Sequence, residues 1–319
     1  MMNIEYKRPS PSVTMVLVCY NQENYIKEAI FSALNQNYSP LKIIISDDCS
    51  KDGTVSIIEG ILQEYHGPHE VFFKKNTVNQ GLIKHINLVN NLVDTELLVI
   101  AAGDDISHPN RVTEIIDAYR LAEQQPTSIY SSVNKITPDG KLLDIFIPPI
   151  EQLGHSVLDC ALSESLIIGA SHAWHKSLFT TFGDIKELGA YEDLVLAYRS
   201  AILNGLLYID KPLVDYRIDI GISNVTQDPD LSNAQKLENL LKIMKPVLLQ
   251  RLLDSSFIAD NKLQEMAIQK IKVQLSKIDL EYAFIKGEKV HYLLYKAIKT
   301  SNLPLFLKYL IKRLRGCTR

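Results

Sequence analysis

The chain is short of the features that mark special protein classes. Its four cysteines, Cys19, Cys49, Cys160 and Cys317, have neither Cys-x-x-Cys spacing nor the density of a disulfide scaffold, as expected of a reducing compartment. No apolar run approaches the roughly 20 residues that span a bilayer, so an integral membrane protein is not expected. Residues 1–12 contain Glu5, Lys7, Arg8 and two prolines without an apolar stretch, so no secretory signal is read there and the expected compartment is the cytoplasm. The Gly-rich Lys loop of a P-loop kinase is missing. No Gly-rich, Arg- or Lys-bearing loop follows the first apolar run, which argues against a nucleotidyltransferase.

What remains is ordinary globular composition, 46% hydrophobic and 22% charged over 319 residues, enough for one large domain with an appendage. The net charge of −3 hides an asymmetry. Residues 233–319 carry 17 Lys and Arg against 7 Asp and Glu, leaving 17 basic and 30 acidic residues before them. The expected organisation is therefore a domain over 1–232 and a basic helical extension over 233–319.

Within the first part, apolar runs alternate with helical periodicity. Strands are expected at 13–19, 41–46, 71–74, 97–101, 129–133 and 206–209, and helices at 24–35, 54–65, 82–93, 111–124 and 192–204. Such alternation implies βαβ units, a mostly parallel sheet and an α/β fold. Residues 136–153 read as a loop over the site, and 219–231 as irregular chain.

Two acidic doublets, Asp47-Asp48 and Asp104-Asp105, each follow a strand-like run, which brings carboxylates to the carboxyl edge of the sheet where open α/β folds bind ligands. Adjacent acids there are costly unless a cation or hydrogen-bond donors meet them. Gly103 lets backbone approach a ligand, and a strand, a glycine and two carboxylates suit Mg²⁺ or Mn²⁺ bridging two phosphates. Tyr20 and Asn21, at the end of the first strand, fit either a site for a base or plain turn chemistry. Asp52-Gly53 reads as a tight turn.

Taken together, Tyr20-Asn21-x-Glu23, Asp47-Asp48-x-Ser50-x-Asp52-Gly53-Thr54, Asn79-x-Gly81 and Gly103-Asp104-Asp105-x-x-x-x-Pro109-x-Arg111 occur in an order that resembles family 2 glycosyltransferases. The resemblance spans about residues 12–217. It implies a GT-A fold, Rossmann-like with a mostly parallel mixed sheet flanked by helices, and inverting transfer from a nucleoside diphosphate sugar. By the same resemblance, Asp47 or Asp48 contacts the base, Asp104 the ribose and Asp105 the metal. Tyr20, Asn21, Glu23, Asn79, Gly81, Gly103 and Arg111 complete the expected nucleotide site. The spelling here is Gly-Asp-Asp where many relatives have Asp-x-Asp, which leaves open which carboxylate ligates the metal directly.

The family's later acidic pair corresponds to Glu192-Asp193, with Asp193 expected to take the proton of the attacking hydroxyl. His172, Trp174 and His175 are candidates for the acceptor side, with core packing as the alternative. Arg217 suits either the diphosphate or a structural ion pair. Along 303–315, Leu307, Leu310, Ile311 and Leu314 form a stripe beside Lys308, Lys312, Arg313 and Arg315, a pattern fit for an anionic membrane surface or for packing on its own domain. The expected partners are a UDP-sugar and a glycan or lipid-linked glycan acceptor, without nucleic acid, and an oligomer is compatible with the sequence. The competing readings are a nucleotidyltransferase and a non-catalytic nucleotide-sugar-binding scaffold.

Overall fold

The computed structural model describes residues 6–220, 232–300 and 302–316. The expected irregular chain at 219–231 therefore lies almost wholly outside the described residues, as do Cys317 and the side chains of Lys312, Arg313, Leu314 and Arg315.

Three strands form the centre of the sheet: β1 (Val13–Cys19), β2 (Lys42–Asp47) and β4 (Leu97–Ala102). They are apolar on both faces because helices cover both faces, which is why each reads as a continuous run. β3 (Glu70–Lys75) pairs with β2, and β2, β1 and β4 lie side by side in parallel. From β1 the chain moves outward to β2 and β3, then returns to place β4 on the other side of β1. That reversal opens a crevice at the carboxyl ends of β1 and β4, where open α/β sheets hold ligands.

The second half of the sheet is mixed. Beyond β4 come β8 (Ala173–His175), β6 (Ser128–Ile136), β9 (Leu206–Arg217) and β5 (Ile106–Ser107). β8 runs antiparallel to both β4 and β6, while β6 and β9 are parallel. β9 extends well past the expected residue 209, through register shifts opposite Ser131 and Ser132. The expected loop over 136–153 is instead strand β7 (Leu142–Phe146), hairpinned onto β6, followed by the short helix α5 (Ile150–Leu153). Leu142, Leu143 and Ile145 are exposed on that hairpin, so burial did not impose the alternation that usually reveals a strand.

One face of the sheet is covered by α1 (Ile26–Leu34), α2 (Thr54–Glu64) and α4 (Arg111–Leu121), whose Ile26, Ile30, Ile58, Val112 and Ile115 join a core with Met15, Leu17 and Ile43. α1 begins later than expected because Tyr25 is its N-cap residue. The other face carries α3 (Leu82–Leu92), α6 (Val157–Leu162), α7 (Ser177–Phe182) and α8 (Glu192–Ile202). Helices α9 (Asn233–Asp254) and α10 (Asn261–Ile285) enter that same core through Leu241, Met244, Val247, Leu248, Ala267 and Ile271. Arg199 on α8 also pairs with Asp254 at the end of α9, both almost fully buried, at 2.8 Å. Helices α11 (Val290–Lys299) and α12 (Leu303–Gly316) form a separate small cluster on the end of α10, through Leu293, Ala297 and Phe306. No helix among the described residues is long and apolar enough to cross a membrane.

Candidate active site

The ends of β1 and β2 are stitched together by their own motif residues. The Asn21 amide N–H donates to Ser50 Oγ and the Asn21 side-chain oxygen accepts from the Lys51 N–H, both at 2.8 Å. The Gln22 N–H donates to Thr54 Oγ1, the Glu23 N–H to Asp52, and the Gly53 N–H to Glu23 Oε2 at 2.6 Å. Asn21 and Cys49 both take left-handed backbone, at φ 51° and 67°, which turns the two segments toward each other. Burial raises the Asp52 carboxyl, but hydrogen bonds from Thr54 and Glu23 outweigh it and hold the group below its ordinary range. Asp52 is thus a turn residue, as read. Glu23 and the Asn21 amide oxygen, expected at the nucleotide, are instead committed to holding the loop. Tyr20 is the motif side chain left open, 45% exposed at the rim.

Asp47 and Asp48 reach the carboxyl edge and are buried there. Asp47 accepts from the Ser50 N–H at 2.9 Å and from the Ser50 hydroxyl. Asp48 accepts from Asn76 Nδ2 at 2.8 Å and from the N–H groups of Gln80 and Gly81, while Asn79 Nδ2 donates to the Asp48 carbonyl. The Asn79-x-Gly81 element is therefore the cradle of Asp48 at the start of α3.

Gly103, Asp104 and Asp105 form the turn between β4 and β5. The Gly103 N–H bonds to Val18 O at 2.9 Å. A Cβ at Gly103 would lie 2.8 Å from Cys19 Cβ and collide with the Gln22 side-chain oxygen, so only glycine lets β4 close on β1 here. Asp105 Oδ1 accepts the Arg217 N–H at 2.8 Å, and Arg217 Nη1 donates to Asp104 O at 2.6 Å. Arg217 Nη2 pairs with Glu28 at 2.6 Å and the guanidinium sits over Tyr25. Of its two expected roles, Arg217 takes the structural ion pair, with its side chain 2% exposed. Burial pushes both carboxyl groups up, Asp105 well above its ordinary range with the Asp104 charge adding, while Arg217 and Arg111 partly offset the effect.

Such a turn fits a hard divalent cation, whose charge would counter the desolvation of oxygen ligands. Among the described residues no three His, Cys, Asp or Glu side chains form a cage. Arg111 corrects an expectation. It is fully buried and donates to Ser107 Oγ, Ile100 O and Ala170 O, so it braces the sheet instead of reaching a nucleotide. Burial, opposed by Asp105, lowers its pKa to about 9.

The Ala170 carbonyl that Arg111 holds lies in a 3₁₀ turn, Gly169–Ser171, and this turn also supports the second acidic pair. A Cβ on Gly169 would stand 2.8 Å from Glu192 Oε1. Glu192 and Asp193 open α8, where the helix dipole favours negative charge. Asp193 Oδ1 accepts the Leu194 N–H at 2.7 Å. Burial raises both groups. The Asp193 charge adds to the effect on Glu192, whereas the Leu194 and Gly169 N–H groups and Arg251 restrain Asp193. The arrangement favours the negative charge on Asp193 over Glu192.

His172, Trp174 and His175 are core residues, because β8 is wedged between β4 and β6 with Leu98 and Ser128 flanking Trp174. Trp174 is fully buried, its Nε1 donating to Asn90 Oδ1 at 3.2 Å, so it offers no platform to a sugar. His172 lies 2.9 Å from Ser128 Oγ, and burial with Arg111 nearby lowers its pKa to about 3. His175 is held by Ser177 and Gln125. A cavity of about 250 Å³ under Trp174, lined also by Asn90, Glu96 and Phe179, lies at the amino end of β4, away from the acidic pairs at the carboxyl edge. Sequence reasoning missed Glu28, Gln22 and Arg251, whose places depend on packing and leave no mark in local spacing.

Residues 14–138 match the glycosyl transferase family 2 model. A glycosyltransferase of Rickettsia conorii without assigned substrate is 30% identical over 179 residues, covering 55% of this chain and 28% of the relative. The chain spans little more than a quarter of the length of the first two curated relatives it matches. S. aureus TarS 1-349 in complex with UDP-GlcNAc superposes with a TM-score of 0.53 at 15% identity, over 91% of this chain and 89% of that one. The mannosyltransferase PcManGT from Pyrobaculum calidifontis, in complex with GDP-Man and Mn²⁺, superposes with a TM-score of 0.53 at 14% identity, over 98% and 91%. The switch-point crevice, the two acidic pairs and the matched segment agree: residues 14–138 are similar to the glycosyl transferase family 2 domain, and the chain has the GT-A fold of its structural neighbours.

Proposed function

We propose that the chain is an inverting glycosyltransferase that moves a sugar from a nucleoside diphosphate donor, uridine the first choice, to a hydroxyl of a glycan acceptor. The observation that carries this reading is the 3₁₀ turn Gly169–Ser171, which connects the two acidic pairs. Arg111 ties its Ala170 carbonyl to β4 just before Asp104-Asp105, and Gly169 packs against Glu192. Donor and base are thereby indexed to each other through one rigid element.

In the reaction, the acceptor hydroxyl oxygen attacks the anomeric carbon and its proton passes to Asp193. The bond from that carbon to the diphosphate oxygen breaks, and its electron pair leaves with the diphosphate. Mn²⁺ or Mg²⁺ at Asp105 would offset the charge that gathers there. Attack opposite the leaving group inverts the anomeric centre. The UDP-GlcNAc and GDP-Man of the structural neighbours support a nucleotide-sugar donor, and the Mn²⁺ of one supports a divalent ion. A lipid-linked glycan of a bacterial surface polysaccharide is the acceptor we favour, at the inner face of the cytoplasmic membrane. Exposed Leu303, Leu307 and Ile311 on α12, beside buried Phe306, support peripheral contact with anionic lipid there.

Asp193→Asn tests the chemistry. The variant is expected to bind donor nucleotide like the parent and to lose about 10²- to 10⁴-fold in transfer rate. Parental activity would reject Asp193 as the base.

A further inference from the structure

Arg251 lies on α9, more than a hundred residues beyond the matched family segment, yet its side chain reaches the carbonyl of the residue that follows the proposed base. It is fully buried. Its Nε and Nη2 donate to the Leu194 carbonyl at 3.2 and 3.0 Å, and Nη1 donates to the carbonyls of Ala161 at 3.2 Å and Ser163 at 2.8 Å. Leu194 is the residue after Asp193, in the first turn of α8.

The neighbouring buried arginine behaves differently. Arg199 is matched by the Asp254 carboxylate in two contacts, the ordinary way to keep a guanidinium out of water. Among the described residues no carboxylate stands within ion-pair distance of Arg251. A buried cation held by carbonyl dipoles and the Tyr198 ring, 5.8 Å from its guanidinium, without a carboxylate in reach is expensive, and the Leu194 carbonyl is already placed to accept an ordinary helical bond. Packing alone gives little reason for a charge at this point.

The acids supply one. The titratable and charged groups around Asp193 are Tyr191, the N-cap of its helix, Glu192 beside it and Arg251 on α9, and Arg251 in turn faces Tyr198 of α8 and Cys160 of α6. Arg251 is the cation of that set. We infer that Arg251 is a positioning residue for the Asp193 base, fixing the first turn of α8 through the Leu194 carbonyl and placing a permanent positive charge near Asp193. This inference rests on the reading of Asp193 as the base. It makes α9 part of the catalytic apparatus, so a protein cut before α9 keeps Asp193 but lacks the charge that keeps the base ready at neutral pH.

The test is the pH profile of kcat/KM for the full chain, alongside Mn²⁺-UDP affinity. Arg251→Met is expected to move the acid limb upward by about one pH unit, in line with the loss of one close opposite charge, with affinity for Mn²⁺-UDP unchanged. Arg251→Lys keeps the charge and is expected to keep the limb in place. Should the methionine variant not fold, Arg251→Gln retains donors without charge and carries the same expectation. A uniform fall in rate at every pH, with the limb unmoved, would reduce Arg251 to a structural brace and overturn the inference. So would a lysine variant that shifts the limb as far as the uncharged one. If Asp193→Asn remained active, the base assignment itself would fail, an outcome distinct from an unmoved limb beside an inactive Asp193→Asn.

Discussion

Asp254→Ala measures how firmly the C-terminal helices belong to the catalytic body. In the parent, Asp254 accepts from Arg199 Nε at 2.8 Å and Nη2 at 3.2 Å, and from Gln250 Nε2 at 2.9 Å. Arg199 also donates to the carbonyls of Leu178 and Gly183. Burial pushes the Asp254 carboxyl up even against the pull of Arg199, so the desolvation of the pair is substantial. Removing one partner leaves the guanidinium buried without its counter-charge, a change worth about 3–5 kcal/mol. With an unfolding entropy of about 2.1 cal/mol/K per residue over 319 residues, this lowers the melting temperature by about 4–8 °C. Differential scanning calorimetry reads it directly. The double change Arg199→Met with Asp254→Leu removes both charges and should recover most of the loss, because the pair itself contributes little once its desolvation is counted. A loss below about 1 °C for Asp254→Ala, or no recovery in the double variant, would contradict α9 being docked against α8 through a buried ion pair.

Two further outcomes follow from the site and the tail. The Glu192 carboxyl is raised in the folded protein, so the folded state holds that proton more tightly than the unfolded one. This contribution to stability is present below the unfolded value, about 4.3, and is lost as pH rises through the folded value. Glu192→Gln should therefore melt higher than the parent above that pH, with a gap that widens toward neutrality and closes near pH 4; parallel melting curves at all pH values would refute the raised Glu192 carboxyl. Removal of residues after Pro304 should release the protein from liposomes containing phosphatidylglycerol, because it removes the exposed Leu307 and Ile311 stripe together with Lys308 and the basic residues after it. Unchanged liposome binding would assign α12 to packing alone.

Much of the parallel half was legible in the sequence because strands buried on both faces must be apolar at every position, as in β1, β2 and β4. β8 was not, since three residues of Ala, Trp and His carry no period, and their place between β4 and β6 is a tertiary fact. The far half of β9 was hidden by Asp210, Lys211 and Pro212, which read as a break, yet the strand continues through a register shift. At the site, the acidic doublets could be read because a chain leaving a parallel strand must turn at the ligand edge. Motif membership did not reveal contact. Glu23 and Arg111 belong to the same series as Asp105, but one bonds the Gly53 N–H and the other two groups of the sheet and a carbonyl of the turn Gly169–Ser171. Arg251, 57 positions from the carbonyl it grips, could not be assigned by any local pattern.

The most direct measurement is a calorimetric titration of the full chain with UDP, with and without Mn²⁺, beside GDP, CDP and dTDP, and repeated on Asp105→Asn. The account predicts nucleotide diphosphate binding that strengthens about tenfold or more with Mn²⁺ in the parent, a gain of roughly 1.4 kcal/mol, and loses that gain in Asp105→Asn. Preference for GDP or dTDP would change the donor and keep the enzyme class. Absence of binding to all four nucleotides, or a metal effect undiminished in Asp105→Asn, would contradict a donor site built on the Gly103-Asp104-Asp105 turn.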